Sequence, residues 1–348
     1  MTFKNHRPAP DIEADPFGER SVISGRREFQ LMGGRFHFES DSPEILRLVD
    51  AAYEGLPRHR FLPRPPRFRV RLVLAATAGK RKGAPAIRML NGAGFLGSAT
   101  DASTFAVLSP ADRTALIFVS REMLRLPYHV RYELIEFAVF TLASRSQHLV
   151  PLHAACVGLN GRGILLMGPS GAGKSTVALQ CLSEGFEFLA EDSVFVAPES
   201  MRATGTANFL HVRADSLRWL GRSSTRSIIS RSPVIRRRSG VKKFEVDLRR
   251  KEFRLAKTPL KIVGVAFLSP RSAGTGPMLH RLSVADTLQR LKQEQAYGAG
   301  LPQWRAFSRH LLQLGGFEIR RGAHPSDSVE ALRSLLRPGI TESPRSPA

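Results

Sequence analysis

The chain has little cysteine and no long apolar run, and both absences exclude classes of protein. Its 348 residues include only Cys156 and Cys181, so cysteine alone cannot build a disulfide framework or a four-cysteine zinc site. We expect both to be small hydrophobic core residues. No run of about 18 uncharged apolar residues is present, and segment 1–20 lacks the apolar centre of a signal peptide. These absences predict a cytoplasmic protein with no membrane partner.

Acidic residues are also scarce. The chain has 30 Asp and Glu against 52 Lys and Arg, for a formal net charge of +22. Such an excess indicates affinity for polyanions, although arginine scattered over an ordinary solvated surface is the alternative explanation. One cluster, between Arg231 and Lys257, has eleven basic residues and three acidic ones. Within it we predict a clamp for phosphate or substrate, formed by Arg236, Arg237, Arg238, Lys242 and Lys243.

Composition along the chain predicts two domains between two tails. Residues 1–24 are polar and rich in proline, and we expect them, like residues 339–348, to be disordered. The pattern in residues 25–147 predicts a small α+β domain. In residues 148–338 strand and helix patterns alternate, which predicts an α/β domain with a mixed sheet.

A few local patterns are specific enough to define elements. Ser42 before Pro43 is typical of a helix start, and we expect the helix to run from Pro43 to Tyr53. Alternating segments after it predict a small antiparallel sheet, followed by a helix from Tyr132 to Ala143. The run from Val150 to Val157 is predicted as one strand at the start of the second domain.

A complete GxxxxGK[ST] phosphate-binding loop lies between the apolar segment 163–167 and a helical pattern at 175–183. Glycine-rich backbone can wrap a polyphosphate so that successive N–H groups point at its oxygens, and the following helix adds the positive end of its dipole. The motif predicts that Lys174 reaches the β and γ phosphates and that Ser175 binds Mg²⁺. The predicted nucleotide-binding residues are Gly168, Pro169, Ser170, Gly171, Ala172, Gly173, Lys174, Ser175 and Thr176.

An acidic pair, Glu191 and Asp192, follows at the end of the next predicted strand, seventeen residues after Lys174. In an open α/β sheet the ligand lies at that end of the strands, so both carboxylates can face the phosphates. We assign Asp192, with Ser175, to Mg²⁺, and Glu191 to the base that takes the proton of an attacking hydroxyl. A solvated acidic pair at a strand end is the alternative interpretation.

His153 lies twenty-one residues before Lys174, on a strand predicted to neighbour the strand of the phosphate loop. A lone histidine in a strand is more often a hydrogen-bonded core residue than a catalytic one. Here, however, the run from Leu152 to Val157, the phosphate loop, and the run from Gly185 to Val194 together resemble the catalytic core of the bacterial HPr kinase/phosphorylase family. In that family a histidine and an acidic pair occur at these separations from the loop.

The resemblance implies a phosphate-loop fold of the HPr kinase type in the C-terminal domain, with ATP and Mg²⁺ as cofactors. It implies that the loop residues hold the phosphates, that Asp192 binds the metal, and that His153 supports a base at Glu191. Two differences limit it: the family has Asp at the position of Glu191, and its Pro-Gly-Arg-Asn-type segment is not recognisable here. Both argue against phosphorylase activity and against HPr as the substrate. HPr kinases of this family form hexamers, so the resemblance is also compatible with a homo-oligomer.

The layout of the N-terminal domain resembles instead the HPr-kinase-related proteins of peptide-modification clusters. Some of these, including kinases associated with lasso peptides, phosphorylate a serine of a precursor peptide. We therefore expect an ATP- and Mg²⁺-dependent kinase that transfers the γ-phosphoryl group to a serine hydroxyl of a peptide or small protein. Two alternatives are a kinase acting on a free small molecule such as serine, and a non-catalytic nucleotide-binding regulatory module. The lack of a helix-turn-helix, zinc or aromatic-platform signature argues against a nucleic-acid partner.

Overall fold

The computed structural model describes residues 23–75, 86–221 and 223–337. Apart from residues 23 and 24, the tails predicted at 1–24 and 339–348 lie outside these ranges. None of the helices within the described residues is both long and apolar enough to cross a membrane. Cys156 and Cys181 are buried, which confirms the expectation for both, and burial raises the pKa of each thiol.

The first part of the chain forms a mixed seven-stranded sheet in the order β1-β2-β3-β7-β6-β5-β4. Its strands are β1 (Gly25–Leu31), β2 (Gly34–Ser40), β3 (Arg67–Ala75), β4 (Arg88–Gly92), β5 (Phe95–Asp101), β6 (Thr104–Ser109) and β7 (Thr114–Ser120). The expectation of an antiparallel sheet is wrong at its centre, because β3 runs parallel to both β2 and β7. A helix connects β2 to β3, and such a crossover is what a parallel pair requires.

That helix, α1 (Pro43–Tyr53), has the bounds predicted from the sequence. The Ser42 side chain accepts a hydrogen bond from the Ile45 N–H at 3.4 Å, and Pro43 occupies the first turn, where no N–H is needed. Gly55, with φ of 78°, follows the end of the helix. The buried face of α1 packs against the sheet through Ile45, Leu46, Val49, Ala52 and Tyr53.

A helical segment, residues 127–146, leads into the second half of the chain. It consists of α2 (Pro127–Val130), a π-helical turn (Arg131–Ile135) and α3 (Glu136–Ser146). The predicted helix from Tyr132 to Ala143 is therefore confirmed, but it starts earlier and contains a wider turn. Such π turns often occur at functional sites, and this one lies beside the site described below.

The second half forms a nine-stranded mixed sheet, a three-stranded sheet and six helices among the described residues. The strands are β8 (Val150–Leu152), β9 (Ala155–Leu159), β10 (Arg162–Met167), β11 (Glu187–Ala190), β12 (Val194–Ala197), β13 (Arg202–Gly205), β14 (Phe209–Val212), β15 (Val234–Arg236), β16 (Lys242–Asp247), β17 (Leu260–Ser272), β18 (Leu279–Arg281) and β19 (Gly316–Arg321). The helices are α4 (Lys174–Ser183), α5 (Ser224–Ser230), α6 (Val284–Glu294), α7 (Ala296–Ala299), α8 (Trp304–Leu314) and α9 (Pro325–Leu336), with a 3₁₀ segment at Ala214–Leu220.

The large sheet has the order β11-β9-β10-β17-β13-β12-β8, and β19 pairs with both β17 and β18. β10, β17 and β19 are parallel, whereas their neighbours are antiparallel, so the predicted mixed α/β sheet is confirmed. The strand predicted over 150–157 is divided in two. β8 pairs with β12, while β9 pairs with β10, and His153 lies in the break between β8 and β9.

Two apolar clusters cover the two faces of this sheet. Along β10, Ile164 and Leu166 belong to one cluster, whereas Leu165 and Met167 belong to the other, as expected for a strand buried on both faces. Helices α4 and α9 pack on the first face, and residues of α6 and α8 fill the second. The sheet is thereby fixed on both sides, which holds the strand ends that carry the site.

The N-terminal unit (described residues 25–147) contacts the C-terminal unit (described residues 148–337) through buried polar groups. The ring nitrogens of His59 lie 2.7 Å from Thr204 Oγ1 and 2.8 Å from the Ala256 carbonyl. The Asn208 amide donates to the Glu136 carboxylate at 2.9 Å. The division between residues 147 and 148 as a domain boundary stays a prediction.

Candidate active site

The phosphate loop joins β10 to α4 and lines a cavity of about 550 Å³, the nucleotide cavity. Gly168, Gly171 and Gly173 have positive φ values of 144°, 86° and 99°, a conformation that other residues rarely adopt. A Cβ on Gly168 would lie 2.8 Å from the Leu268 carbonyl. Of the nine predicted nucleotide-binding residues, the eight from Pro169 to Thr176 line the cavity. The Gly168 carbonyl accepts a 2.6 Å hydrogen bond from Lys174 Nζ.

Glu191 is buried at the end of β11 and contacts the phosphate loop directly. Its Oε1 accepts a hydrogen bond from Ser175 Oγ at 2.8 Å, and its Oε2 accepts one from the His211 N–H at 2.9 Å. The His211 ring Nδ1 lies 3.2 Å from the same carboxylate. Burial opposes ionisation of Glu191, but the hydrogen bond and charge of His211 outweigh it, so the pKa of Glu191 is lowered. The loop serine therefore lies against an ionised carboxylate.

Asp192 pairs with His153 on the open side of the site. His153 Nδ1 lies 3.0 Å from Asp192 Oδ1, and the two side chains are 61% and 47% exposed. The hydrogen bond to Asp192 raises the pKa of His153. Burial alone would raise the pKa of Asp192, yet the contact with His153 lowers it. Both groups line the nucleotide cavity.

Gln295 holds His153 in place at the break between β8 and β9. The buried Gln295 amide accepts from the His153 N–H at 2.8 Å and donates to the His153 carbonyl at 3.0 Å. These two bonds replace the strand pairing that the break interrupts. The backbone of His153 is thus fixed, although its side chain is exposed.

The contacts within this group differ from those expected from the sequence. The sequence predicts Ser175 beside Asp192, but Ser175 contacts Glu191. The family resemblance implies that His153 supports Glu191, but His153 contacts Asp192. The physical reason is that the two residues lie in the bend after β11, where the regular side-chain alternation of a strand no longer applies and local packing decides the contacts. The two adjacent carboxylates therefore face different partners.

The predicted basic clamp is divided by the fold. Arg237 and Lys243 line the nucleotide cavity, and burial lowers the pKa of Lys243. Arg238 is held by the Glu133 carboxylate of the N-terminal unit. Arg236 and Lys242 are paired across β15 and β16, and neither lines the nucleotide cavity. Two of the five residues therefore line the cavity of the phosphate loop.

A buried chain of charged groups connects the site to the N-terminal unit. Arg131 Nη2 donates to both oxygens of Glu245, at 2.7 and 2.8 Å. Glu245 Oε1 lies 3.6 Å from His211 Nε2, and His211 contacts Glu191. Burial lowers the pKa of His211, but the two carboxylates outweigh this and raise it. Sequence reasoning missed these residues because their contacts form only when β14 pairs with β16, with His211 opposite Glu245, and the helical segment packs beside them.

Further residues of the nucleotide cavity were not predicted either. They come from the 3₁₀ segment after β14 with the residue before it, and from the end of β19 with the loop after it; they include Arg213, Arg218, Trp219, Arg320, Arg321 and His324. The guanidinium of Arg218 lies 4.6 Å from the centre of the Trp219 ring, and the Trp219 and His324 rings meet edge to face at 5.1 Å. Arginine is abundant throughout the sequence, so its abundance could not predict which arginines line this cavity.

Residues 142–221 match the family model described as HPr Serine kinase C-terminal domain. This segment contains His153, the phosphate loop, the acidic pair and His211. No curated protein sequence matches the chain. Among solved structures, the Hpr(Ser) kinase/phosphatase from Coxiella burnetii matches with 13% identity, covering 53% of this chain and 87% of that one at a TM-score of 0.23. That score is too low to compare the two folds residue by residue.

The segment that holds the site, residues 142–221, is thus similar to the C-terminal domain of HPr kinases. The chain is HPr-kinase-like, which confirms the family resemblance found in its sequence, and the match to this family supports kinase activity with ATP.

Proposed function

We propose that this protein is an ATP- and Mg²⁺-dependent kinase that transfers the γ-phosphoryl group to a serine hydroxyl of a peptide or small protein. One observation carries the proposal: a phosphate loop lies beside two carboxylates, one bonded to the loop serine and one paired with an exposed histidine. The contact between Ser175 and Glu191 would serve a nucleotide-binding module as well as a kinase. The pairing of Asp192 with His153 is what a base needs in order to take the proton of an acceptor hydroxyl. The proposed use of ATP fits a cytoplasmic enzyme. The two buried cysteines, which form no disulfide, fit the same location.

The residues of the nucleotide cavity fit ATP. The loop glycines leave room for phosphate, since a Cβ on Gly171 or Gly173 would meet nothing within 4 Å. Lys174 Nζ donates to the loop's own carbonyl and would exchange this bond for phosphate oxygens. Arg237 and Lys243 add positive charge in the same cavity. Trp219 offers an aromatic face for the purine.

Ser175 and Glu191 fit the Mg²⁺ site best. Mg²⁺ takes few protein ligands, typically one or two carboxylates together with substrate phosphates, and the serine of a phosphate loop is a usual partner. The ionised Glu191 carboxylate contacts the Ser175 hydroxyl, so Glu191 Oε1 and Ser175 Oγ can face one ion. Bound there, Mg²⁺ would neutralise charge on the β and γ phosphates.

Asp192 and His153 fit the acceptor side. The Asp192 carboxylate would accept the proton of the serine hydroxyl as the hydroxyl oxygen bonds to the γ-phosphorus and the bond to the β-phosphate oxygen breaks, releasing ADP. His153 keeps this carboxylate ionised and oriented, and Gln295 fixes the histidine backbone. This assignment exchanges the roles that the sequence suggested for the two carboxylates.

Transfer itself is tested with γ-labelled ATP, Mg²⁺, and a panel of serine peptides, free serine and HPr, followed by location of the label. We expect label on serine in a peptide. Lys174→Ala should weaken ATP binding by about tenfold or more, because a charged hydrogen bond to phosphate is lost. The matched control is Lys292→Ala, an exposed lysine outside the cavity. Tight ATP binding without transfer to any acceptor would refute the proposal in favour of a binding module.

The roles of the carboxylates are tested with the isosteric pair Glu191→Gln and Asp192→Asn. We expect Glu191→Gln to raise the Mg²⁺ concentration needed for half-maximal rate. Asp192→Asn should slow transfer about a hundredfold or more at saturating Mg²⁺, as loss of a base does. If the two variants show the opposite pattern, Asp192 binds the metal and Glu191 is the base.

A further inference from the structure

A second cavity, of about 580 Å³, adjoins the nucleotide cavity at the two carboxylates. We name it the acceptor cleft. Glu191, Asp192, His211 and Arg237 line both cavities. The rest of the cleft's wall comes from the C-terminal unit and from the helical segment 127–146 of the N-terminal unit. The two cavities therefore meet at the residues to which we assign the chemistry.

Phosphoryl transfer restricts where the acceptor can enter. The attacking and leaving oxygens must lie roughly in line through the γ-phosphorus, so the acceptor cannot share the space of the nucleotide. ATP held by the phosphate loop occupies the nucleotide cavity. The acceptor cleft reaches Asp192 along walls that do not include the phosphate loop, and it is large enough for an ordinary ligand. A hydroxyl placed in the cleft would therefore meet the carboxylate that accepts its proton.

The walls of the cleft are aromatic. They include Tyr128, Tyr132, Phe137, Phe140 and Phe209. The Tyr128 and Tyr132 rings lie 4.6 Å apart, and the Phe140 ring packs on Phe195 with 5.1 Å between ring centres, so these rings are held by their neighbours. Fixed aromatic rings bind apolar surface with little loss of conformational freedom.

The charged groups of the cleft disfavour an anionic ligand. Four carboxyl groups line it, from Glu133, Glu136, Glu191 and Asp192, against three basic groups, from Arg237, Arg238 and His211. Arg238 is already paired with Glu133. Burial raises the pKa of Glu136 to about 7, so this group still carries partial negative charge near neutral pH. A carboxylate beside the reacting hydroxyl would meet like charge here.

We propose that the acceptor cleft binds the residue next to the phosphorylated serine, and that this neighbour is an aromatic or large aliphatic side chain rather than an acidic one. The inference rests on the proposed function and defines its substrate class: a peptide with an apolar residue adjacent to the serine. It also gives the N-terminal unit a direct part in substrate choice, since four of the five aromatic residues of the wall belong to it.

The test uses three synthetic peptides that differ only in the residue before a single serine, which is phenylalanine, alanine or aspartate. We expect kcat/KM to be about tenfold or more higher for the phenylalanine peptide than for the aspartate peptide. Phe137→Ala should reduce that preference by about tenfold and leave ATP affinity unchanged, whereas Phe137→Leu, which keeps apolar surface, should retain most of it. The matched control is Phe95→Ala, a half-exposed phenylalanine of β5 that does not line the cleft.

The possible outcomes separate this inference from the proposed function. If peptides are phosphorylated but Phe137→Ala and Phe95→Ala have the same peptide preference, the cleft inference is overturned while the kinase assignment stands. A preference for the aspartate peptide also overturns it. If ATP binds and no peptide is labelled, or only free serine is, both the cleft inference and the peptide-kinase function are overturned.

Discussion

Replacing Arg131 by methionine should lower the free energy of unfolding by about 3–5 kcal/mol, because it breaks a buried ion pair between the two units. Arg131 Nη2 donates to both oxygens of Glu245, and the two side chains are only 6% and 10% exposed. The guanidinium also stacks on Phe209, 4.5 Å from the ring centre. Methionine keeps much of the apolar length of arginine and removes the charge and the hydrogen bonds.

The magnitude follows from what is left behind. Without Arg131, the Glu245 carboxylate stays buried, and His211 Nε2, at 3.6 Å, is the cation that it still contacts among the residues that the structure describes. An uncompensated buried charge makes up most of the expected loss. The double variant, which combines Arg131→Met with Glu245→Gln, also removes the Glu245 charge and should therefore recover part of the free energy of unfolding. An exposed pair is much weaker: Arg26, whose side chain is 74% exposed, lies 3.4 Å from Glu39, and Arg26→Met should change stability by about 0–1 kcal/mol.

The assay is urea unfolding of the four proteins at pH 7, followed by circular dichroism and by tryptophan fluorescence. The three variants, Arg131→Met, the double variant and Arg26→Met, are compared with the unaltered protein at equal concentration. A loss for Arg131→Met no larger than that for Arg26→Met would refute the buried pair. A double variant that is no more stable than the single one would refute the idea that the stranded Glu245 charge causes the loss.

Three further predictions concern the site. His153→Gln should raise the pKa of Asp192, so the acidic limb of kcat/KM should move to higher pH; an unmoved limb would contradict the pairing. Gln295→Leu should lower the free energy of unfolding by about 1–3 kcal/mol, because two His153 backbone groups lose their partner, and an unchanged urea midpoint would argue against this contact. The pKa of His211 is raised in the folded protein, so its stabilisation is complete below its ordinary value of 6.5 and is lost as pH rises through the folded value. His211→Asn should abolish this decline in urea stability with rising pH, and persistence of the same decline would exclude His211 as its source.

The local features of this protein could be predicted from its sequence alone. The phosphate loop could be predicted because its glycines, lysine and serine meet a backbone requirement that lies within one short segment. Helix α1 could be predicted to the residue because Ser42 and Pro43 satisfy the helix start locally. The mixed sheet followed from alternating strand and helix patterns, and the HPr kinase resemblance followed from three motifs at fixed separations, later matched by the family model over 142–221.

Which side chains meet in the site depends on the packing of the folded chain. The adjacent residues Glu191 and Asp192 lie in the bend after β11 and meet different partners, Ser175 and His153, which spacing alone could not assign. The chain from Arg131 through Glu245 to His211 depends on the pairing of β14 with β16 and on the packing of the helical segment, which are contacts between residues far apart in sequence. The same packing forms the acceptor cleft. Local patterns fix backbone conformation because they act through contacts between residues that are close together in the chain. A site built from several elements depends instead on how those elements pack.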